Sequence, residues 1–151
     1  MPRKSWDQYF IDIAKVVASR ATCNRATVGA VVVDPEDHQI LVSGYNGSPR
    51  KLDHCDEVGH LMQENHCRRV VHAEINAICQ AARRGISLKG SVIYITGYFP
   101  CLNCMKAIIQ AGIKEVVYEK EYHSAEYQWE FNIAKSFAQE VGIELQCLNP
   151  S

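Results

Sequence analysis

Two short motifs constrain this chain more than any other feature of its sequence. The first is His72-Ala73-Glu74, and the second is Pro100-Cys101-Leu102-Asn103-Cys104. Each motif stands at the predicted start of a helix, and together they supply one imidazole and two thiols of the kind that bind zinc. A metal held by all three residues requires the N-termini of two helices that are distant in the chain to meet.

The chemistry of these residues favours a catalytic zinc site. Three protein ligands leave the fourth tetrahedral position to water. Glu74 follows the ligand histidine by two residues, so it does not share the same helix face but can reach over the helix end, which makes it a candidate general base. The alternatives are a redox Cys-x-x-Cys pair and a structural zinc knuckle that a fourth protein ligand closes.

The length and composition predict one soluble globular domain. The 151 residues contain no Pro-, Gly- or Ser-rich linker, so we expect residues 1–151 to form a single domain. Hydrophobic residues make up 47% and charged residues 22% of the chain, which is typical of a globular protein. Since there is no long apolar run and no secretory signal, we expect a cytoplasmic protein without a membrane partner.

The net charge limits the class of binding partner that we expect, and the cysteine count limits the type of chemistry. A net charge of -1 argues against a nucleic acid partner, which a basic excess would favour, and is compatible with a small nucleotide. Seven cysteines in a chain without an export signal indicate metal or thiol chemistry rather than disulfides.

Alternating apolar patterns predict an α/β fold. The predicted helices cover residues 6–19, 72–84, 101–110 and 125–141, and the predicted strands cover residues 28–34, 39–45, 92–96, 115–118 and 143–147. We therefore expect a three-layer domain in which helices flank one mixed sheet of five strands. Residues 46–70 lack periodicity and are expected to form a long loop or a short-helix insertion, a type of segment that often carries function.

The two motifs also give the chain a resemblance to a known family. They resemble the H-x-E and P-C-x-x-C signature of the cytidine and deoxycytidylate deaminases. The resemblance implies zinc-dependent hydrolysis of dCMP to dUMP and ammonia, feeding thymidylate synthesis. It implies that Glu74 moves a proton from the zinc-activated water to N3 of cytosine and then to the leaving amine. The known fold of the family is similar to the one expected here.

The segment 44–49, with the sequence Gly-Tyr-Asn-Gly-Ser-Pro, indicates the substrate class. It resembles the G-Y-N-G element of deoxycytidylate deaminases, although Asn-Gly alone is also a common turn signal. The resemblance implies that Asn46 binds the 3'-hydroxyl of the sugar, that Arg25 binds the phosphate, and that Tyr122 stacks on the base or contacts the phosphate. Ala73 is also expected at the substrate.

A second group of cysteine and histidine residues lies in and before residues 46–70. Some deoxycytidylate deaminases carry a second zinc that holds the same insertion together, and this chain resembles them. The resemblance implies a structural zinc with the ligands Cys23, Cys55, His60 and Cys67, and with His66 as the substitute. The sequence alone does not bring Cys23 near the other three, so free buried thiols with exposed histidines remain the alternative.

The resemblance further implies regulation by nucleotides. Similar enzymes form hexamers that dCTP activates and dTTP inhibits, with Mg²⁺ bound to the triphosphate. We therefore expect nucleotide substrates and triphosphate effectors as partners, and a homo-oligomer, expected to be a hexamer. The residues implied for the effector site are Gly44, Tyr45, Asn46, Gly47, Ser48, Arg50, Asp53 and Glu64.

Other functions stay open at this point. Deaminases of tRNA adenosine and of free cytidine share both motifs, but the balanced charge counts against tRNA, and the Gly-Tyr-Asn-Gly segment and the cysteine-rich insertion count against the free-nucleoside enzymes. A nucleotide-binding or assembly protein of the same fold without catalysis is a rival from another class, although Glu74 is intact. A redox Cys-x-x-Cys protein is the third.

Overall fold

A computed structural model describes residues 2–150, which alternate between helices and strands. The helices are α1 (Trp6–Ala18), α2 (Cys55–Val58), α3 (Ala73–Arg84), α4 (Leu102–Gln110) and α5 (Gln128–Glu140). The strands are β1 (Gly29–Asp34), β2 (Gln39–Tyr45), β3 (Met62–Gln63), β4 (His66–Cys67), β5 (Val92–Tyr98), β6 (Glu115–Lys120) and β7 (Glu144–Asn149). Within this range, none of the helices has the length and apolar character needed to cross a membrane.

Five of the strands form one mixed sheet with the order β2-β1-β5-β6-β7. Strand β1 pairs antiparallel with β2 and with β5, while β5 pairs parallel with β6, and β6 with β7. The expected mixed five-stranded sheet is confirmed.

Helices cover both faces of this sheet, because residues along the strands alternate between two apolar layers. The layer between the sheet and α1 contains Phe10, Ile11, Ala14, Val31, Val33, Val92, Tyr94 and Val117. The layer on the side of α3, α4 and α5 includes Ala30, Val32, Ala77, Ile93, Ile95, Met105, Ile108, Val116, Ala134 and Ala138. The predicted three-layer α/β architecture is therefore confirmed.

Strand direction brings several loops to one edge of the sheet. Because β1 is antiparallel to both of its neighbours, β2 runs in the same direction as β5 and β6. The carboxyl ends of these three strands therefore lie at the edge where β1 begins. The backbone N–H of Gly29 donates to the Thr96 hydroxyl at 2.9 Å across this end. Loops at the carboxyl ends of strands are the usual location of ligand sites in such sheets.

The segment 46–70 contains α2 and a small antiparallel hairpin of β3 and β4. The two turn residues, Glu64 and Asn65, have φ values of 51° and 61°, which is the geometry of a two-residue hairpin turn. Neither is glycine and each strand has only two residues, so sequence patterns did not predict this hairpin. Two backbone hydrogen bonds between Gly47 and Val71, of 3.1 and 2.8 Å, close the base of the insertion.

The last helix is shorter than predicted. It begins at Gln128 rather than at residue 125, and the final strand extends to Asn149 rather than ending at residue 147. Tyr127 precedes the helix with φ -112° and ψ 7° and makes no side-chain cap. The residues between β6 and α5 therefore form a longer loop at the carboxyl end of β6.

Gly44 sets the close approach of β2 to α3. A Cβ atom at this position would lie 2.5 Å from the Ala73 carbonyl oxygen and 2.5 Å from the Ala77 backbone nitrogen. Both are backbone atoms of α3, so they cannot move without displacing the helix. Only glycine allows this spacing, and the start of α3 depends on it.

We expect Gly44→Ala to lower the free energy of unfolding by about 1–3 kcal/mol, because the added methyl group would overlap the α3 backbone. At an unstrained site, Gly→Ala would instead raise the free energy of unfolding slightly, by restricting the unfolded chain. A decrease therefore indicates that β2 and α3 are in close contact at Gly44. Urea unfolding measures the effect, with Ser43→Ala on the exposed face of the same strand as the control. Equal stability of the two variants would contradict the close approach.

Candidate active site and second metal cluster

His72 and Cys101 lie immediately before α3 and α4, as their N-cap residues. Both have extended backbones, with φ and ψ of -67° and 152° for His72 and of -66° and 169° for Cys101. Neither side chain makes a capping hydrogen bond, so both remain free to bind a ligand. Cys104 follows in the first turn of α4. The three predicted ligands therefore come from the N-termini of two helices.

The three ligand atoms meet at distances that suit zinc. His72 Nδ1 lies 3.5 Å from Cys101 Sγ and 3.4 Å from Cys104 Sγ. All three atoms lie within 4.8 Å of one another. A tetrahedral zinc with Zn–S bonds of about 2.3 Å and Zn–N bonds of about 2.0 Å requires ligand separations of roughly 3.5–3.8 Å. The residues fit a zinc ion, and their number leaves one tetrahedral position for a small ligand.

The protonation of Cys101 also suits a metal ligand. Hydrogen bonds from Cys104 and His72 hold the pKa of the Cys101 thiol well below its usual range. This shift favours the thiolate, which is the form that binds zinc.

Glu74 is buried in the first turn of α3, with only 6% of its surface exposed. Burial raises the pKa of its carboxyl group, and the nearby His72 opposes this shift. The side chain of Cys104 also acts to lower the pKa of this carboxyl group. Carboxyl groups are seldom buried without a partner or a function, and this one lies beside the ligand cluster.

Asn46 follows β2 and is buried, with 5% exposure. Its Oδ1 accepts a hydrogen bond from the Val28 backbone at 2.7 Å, and its Nδ2 donates to the Ala26 carbonyl at 2.7 Å. One amide hydrogen and one oxygen lone pair remain for a ligand. The Gly47–Val71 pair places the backbone of Asn46 next to that of His72. Ala73, at the start of α3, is fully buried.

The other two predicted substrate residues lie on loops, Arg25 before β1 and Tyr122 after β6. Arg25 is exposed, and its Nη1 contacts Met62 Sδ at 3.0 Å and donates to the Asn65 carbonyl at 3.5 Å. Tyr122 stacks on Phe131 at a ring distance of 4.4 Å and meets the edge of Tyr98 at 5.4 Å. Across residues 2–150, no hydrogen bond or ring contact joins Arg25 or Tyr122 to the zinc ligands or Glu74.

The structure also brings the second group of predicted ligands together. The group consists of Cys23, Cys55, His60 and Cys67, whose ligand atoms all lie within 4.8 Å of one another. Cys23 Sγ is 3.5 Å from His60 Nδ1, and Cys55 Sγ is 3.5 Å from Cys67 Sγ. Four protein ligands make a closed set, as in structural zinc sites. His66, named as the substitute, is exposed and packs 5.2 Å from the Tyr127 ring.

Outer contacts orient this second cluster. His60 Nε2 donates to Asn24 Oδ1 at 2.9 Å, which directs Nδ1 of the same ring toward the thiols. Burial raises the pKa of Cys67, but hydrogen bonds from the Arg69 and Leu61 backbone, with His60, lower it overall. This shift favours the thiolate, which is the form that binds a metal.

Comparison with known proteins identifies the family. The sequence model of the cytidine and deoxycytidylate deaminase zinc-binding region matches residues 4–120, which include both ligand clusters. The chain belongs to the cytidine and deoxycytidylate deaminase family. The resemblance inferred from the two motifs is thereby confirmed, and the family's zinc-binding region supports Zn²⁺ as the metal.

Several relatives of this deaminase chain span most of its length. ComE operon protein 2 of Bacillus subtilis is 45% identical over 130 residues, which are 86% of this chain and 67% of the relative. The deoxycytidylate deaminase of Mycobacterium phage D29 is 37% identical over 80% of this chain and 99% of its own length. The chain spans only 44% and 40% of the deoxycytidylate deaminases of Schizosaccharomyces pombe and Saccharomyces cerevisiae.

A solved family structure agrees with the fold. The crystal structure of dCMP deaminase from the cyanophage S-TIM5 in complex with dCMP and dUMP has a TM-score of 0.77 to this chain. The two are 28% identical, and the match covers 97% of this chain and 99% of that one.

The structure gives several residues of the predicted effector site a local role. Gly44 packs against α3, and Gly47 pairs with Val71 at the base of the insertion. The carbonyl of Tyr45 accepts a hydrogen bond from Asn76 Nδ2 at 2.7 Å, which ties β2 to α3.

The remaining predicted effector residues lie on the insertion. Arg50 and Asp53 are exposed. Glu64 forms an ion pair with Arg68 at 3.1 Å, next to the hairpin turn. The hydroxyl of Ser48 is buried and has no hydrogen-bond partner among residues 2–150.

Two residues that sequence reasoning missed stand out in this deaminase fold. Asn24 orients His60, and the only sequence signal for it is its place between Cys23 and Arg25. Arg69 has a buried Nε without a hydrogen-bond partner within the described chain. Its only sequence signal is its place between Cys67 and the His72 motif.

We expect purified protein to contain about two zinc ions per chain, one in each cluster. Cys104→Ser removes a ligand of the first ion and Cys55→Ser removes a ligand of the second, so each variant is expected to lose about one zinc. Cys55→Ser is also expected to melt at a lower temperature, because the metal holds the insertion. Metal analysis after gel filtration measures the content, with Cys79→Ser, exposed and outside both clusters, as the control.

A single zinc in the wild-type protein, unchanged by Cys55→Ser, would contradict the second site. A zinc content unchanged by Cys104→Ser would contradict the first.

Proposed function

We propose that the protein is a zinc-dependent enzyme that hydrolyses dCMP to dUMP and ammonia. The observation that carries this proposal is the buried carboxyl group of Glu74 beside the three-ligand cluster at the N-termini of α3 and α4. A carboxyl group at that place can move protons for a reaction at the open metal position. The names of the phage D29 and S-TIM5 relatives favour dCMP as the substrate.

The zinc ligands, Glu74 and the two helix N-termini have different roles in the proposed reaction. His72, Cys101 and Cys104 would hold a zinc ion, and this ion would supply an activated water, because bound zinc lowers the pKa of water from about 15.7 to about 7. Glu74 accepts a proton from the attacking water and donates it to N3 of cytosine, which makes C4 a better electrophile. Glu74 then takes the proton of the hydroxyl group now bonded to C4 and gives it to the amino group, so that the C4–N bond breaks, ammonia leaves and C4 becomes a carbonyl. The N-termini of α3 and α4 favour the negative charge that develops beside them.

The loops at the same edge of the sheet bind the rest of the nucleotide in this proposal. Asn46 uses its remaining amide hydrogen or lone pair to bind the 3'-hydroxyl of the sugar. Arg25 binds the phosphate, and Tyr122, whose ring already stacks on Phe131, contacts the base or the phosphate. Ala73 contacts the base at the start of α3.

The second cluster has a structural role in this proposal. A zinc ion bound by Cys23, Cys55, His60 and Cys67 joins the loop before β1 to the insertion. Its four protein ligands leave no position for a substrate. The whole chain, residues 1–151, then acts as one deaminase domain.

Regulation and assembly follow from family membership rather than from a contact in this chain. We infer a cytoplasmic homohexamer that dCTP activates and dTTP inhibits, with Mg²⁺ on the effector triphosphate and with its product feeding thymidylate synthesis. The inferred effector residues are Gly44, Tyr45, Asn46, Gly47, Ser48, Arg50, Asp53 and Glu64.

The function is tested by ammonia release from dCMP on zinc-replete protein. Cytidine, deoxycytidine and dCTP serve as parallel substrates, and dCTP is also added as an effector. Turnover confined to dCMP is expected. No turnover on any cytosine nucleotide, with or without dCTP, would favour another base or a role without catalysis.

We expect Glu74→Gln to lower kcat for dCMP by at least about 100-fold, because the amide cannot move protons. The zinc ligands are untouched, so metal content is expected to stay at the wild-type value. Ammonia release and metal analysis measure the two effects, with the exposed Glu36→Gln as the control. Activity retained by Glu74→Gln would contradict the proposed proton transfers.

We expect Arg25→Ala to lower kcat/KM for dCMP on the order of 10- to 100-fold, the size of a lost hydrogen bond to a charged group. Deoxycytidine lacks the phosphate, so kcat/KM for this nucleoside is expected to stay unchanged. Arg20→Ala, at an exposed position near the end of α1, is the control. Equal losses for dCMP and deoxycytidine would remove Arg25 from the phosphate site.

A further inference from the structure

Buried side-chain atoms without a hydrogen-bond partner are concentrated in one region of the fold. Within residues 2–150, these atoms are Thr22 Oγ1, Ser48 Oγ, His54 Nδ1 and Arg69 Nε. All four belong to the insertion or to the segment just before β1. Buried polar groups are normally paired, and an orphaned group has an explanation such as an unfilled ligand contact.

Backbone contacts hold these segments against one another. The N–H of Thr22 donates to the Asn46 carbonyl, and the carbonyl of Thr22 accepts from Asp56, both at 3.2 Å. A Cβ atom on Gly47 would lie 2.7 Å from the Thr22 hydroxyl, so that hydroxyl lies directly against Gly47. The orphaned atoms of Thr22 and Ser48 therefore belong to neighbouring segments next to Asn46.

Arg69 joins the same region through the base of the insertion. It precedes Val71, whose backbone pairs with Gly47 by two hydrogen bonds. The backbone N–H of the preceding residue, Arg68, donates to the Leu61 carbonyl at 2.7 Å, and Cys67 before it belongs to the second cluster. The backbone is therefore held on both sides of Arg69, by these contacts and by the pairing at Gly47. Fixed backbones of this kind hold a binding side chain in place before its ligand arrives.

Arg69 differs from its neighbour Arg68 in its partners. Arg68 is exposed and pairs with Glu64 at 3.1 Å. Arg69 is part-buried, its Nε is out of solvent, and no carboxylate among residues 2–150 forms an ion pair with it. A guanidinium group stays charged at all relevant pH values, and a buried charge is costly without an anion.

The chemistry of the orphaned atoms indicates what this anion is. Three of the four, the guanidinium N–H of Arg69 and the hydroxyl groups of Thr22 and Ser48, can donate hydrogen bonds. Phosphate oxygens accept such bonds strongly, and arginine is the side chain best suited to bind them.

We propose that Arg69, together with the hydroxyl groups of Ser48 and Thr22, binds a phosphate group of a nucleotide. The proposal rests on the proposed function for the identity of the nucleotide. The phosphate belongs either to the substrate monophosphate or to an effector triphosphate, since both present the same chemistry.

Calorimetric binding of dCMP, deoxycytidine and dCTP tests the proposal. All measurements use zinc-replete protein carrying Glu74→Gln, so that dCMP is not converted and the result does not depend on turnover. Arg69→Gln is compared with Arg68→Gln, which removes the same charge one residue away. We expect Arg69→Gln to weaken the binding of dCMP or of dCTP on the order of 10- to 100-fold, and Arg68→Gln to change neither.

The ligand that loses affinity identifies the phosphate. Weaker dCMP binding with unchanged deoxycytidine binding assigns Arg69 to the substrate phosphate. Weaker dCTP binding with unchanged dCMP binding assigns it to the effector. Unchanged binding of both nucleotides, or an equal loss in Arg68→Gln, overturns the proposal, as does a parent protein that binds neither nucleotide.

Further measurements distinguish a loss of nucleotide binding from a loss of folding or of catalysis. Metal content and melting temperature show whether Arg69→Gln keeps the wild-type fold. If it does not, Arg69→Lys and Ser48→Ala are measured instead, and unchanged binding of dCMP and dCTP in both overturns the proposal. Wild-type protein that binds dCMP without releasing ammonia contradicts the proposed function, while the Arg69 comparison still decides this inference.

Discussion

The antiparallel pairing of β1 with β5 is the constraint on which the candidate site depends. Because β1 is also antiparallel to β2, the strands β2, β5 and β6 all point to the same edge of the sheet. The loop with Asn46, the start of α4 and the loop with Tyr122 follow those three carboxyl ends. A parallel pairing would leave the Asn46 loop at the opposite edge, away from Cys101 and Cys104.

The insertion, unlike the sheet and its helices, is not held together by a hydrophobic core. Between residues 50 and 70, Cys55 is the one residue buried from solvent. Apolar packing of this extent cannot order such a segment, whose conformational entropy is large. The backbone pairing of Gly47 with Val71 holds the base of the segment, and the proposed zinc on Cys23, Cys55, His60 and Cys67 would order the rest. The same arrangement fixes the backbone of Arg69. It also positions Met62, which the Arg25 side chain contacts.

The sequence predicted the parts of this structure that local rules determine. Ligand types and spacing placed His72, Cys101 and Cys104 at helix starts, and apolar periodicity predicted the five strands of the sheet and its four long helices. The β3–β4 hairpin was not predicted, because its two-residue strands are too short to show an alternating apolar pattern and its turn contains no glycine. Long-range contacts escaped as well: the bond from His60 to Asn24 and the isolation of Arg69 depend on side chains that only the folded chain brings together.

The paired residues Gly47 and Val71 have a consequence for the history of such a chain. They bring the two ends of the insertion to adjacent positions, so everything between them leaves and re-enters the domain at a single point. The length of that segment can change, or the segment can be exchanged for a short turn, while Asn46 and His72 stay where they are. Evolution can therefore add or remove this segment, and any recognition it carries, without changing the positions of Asn46 and His72.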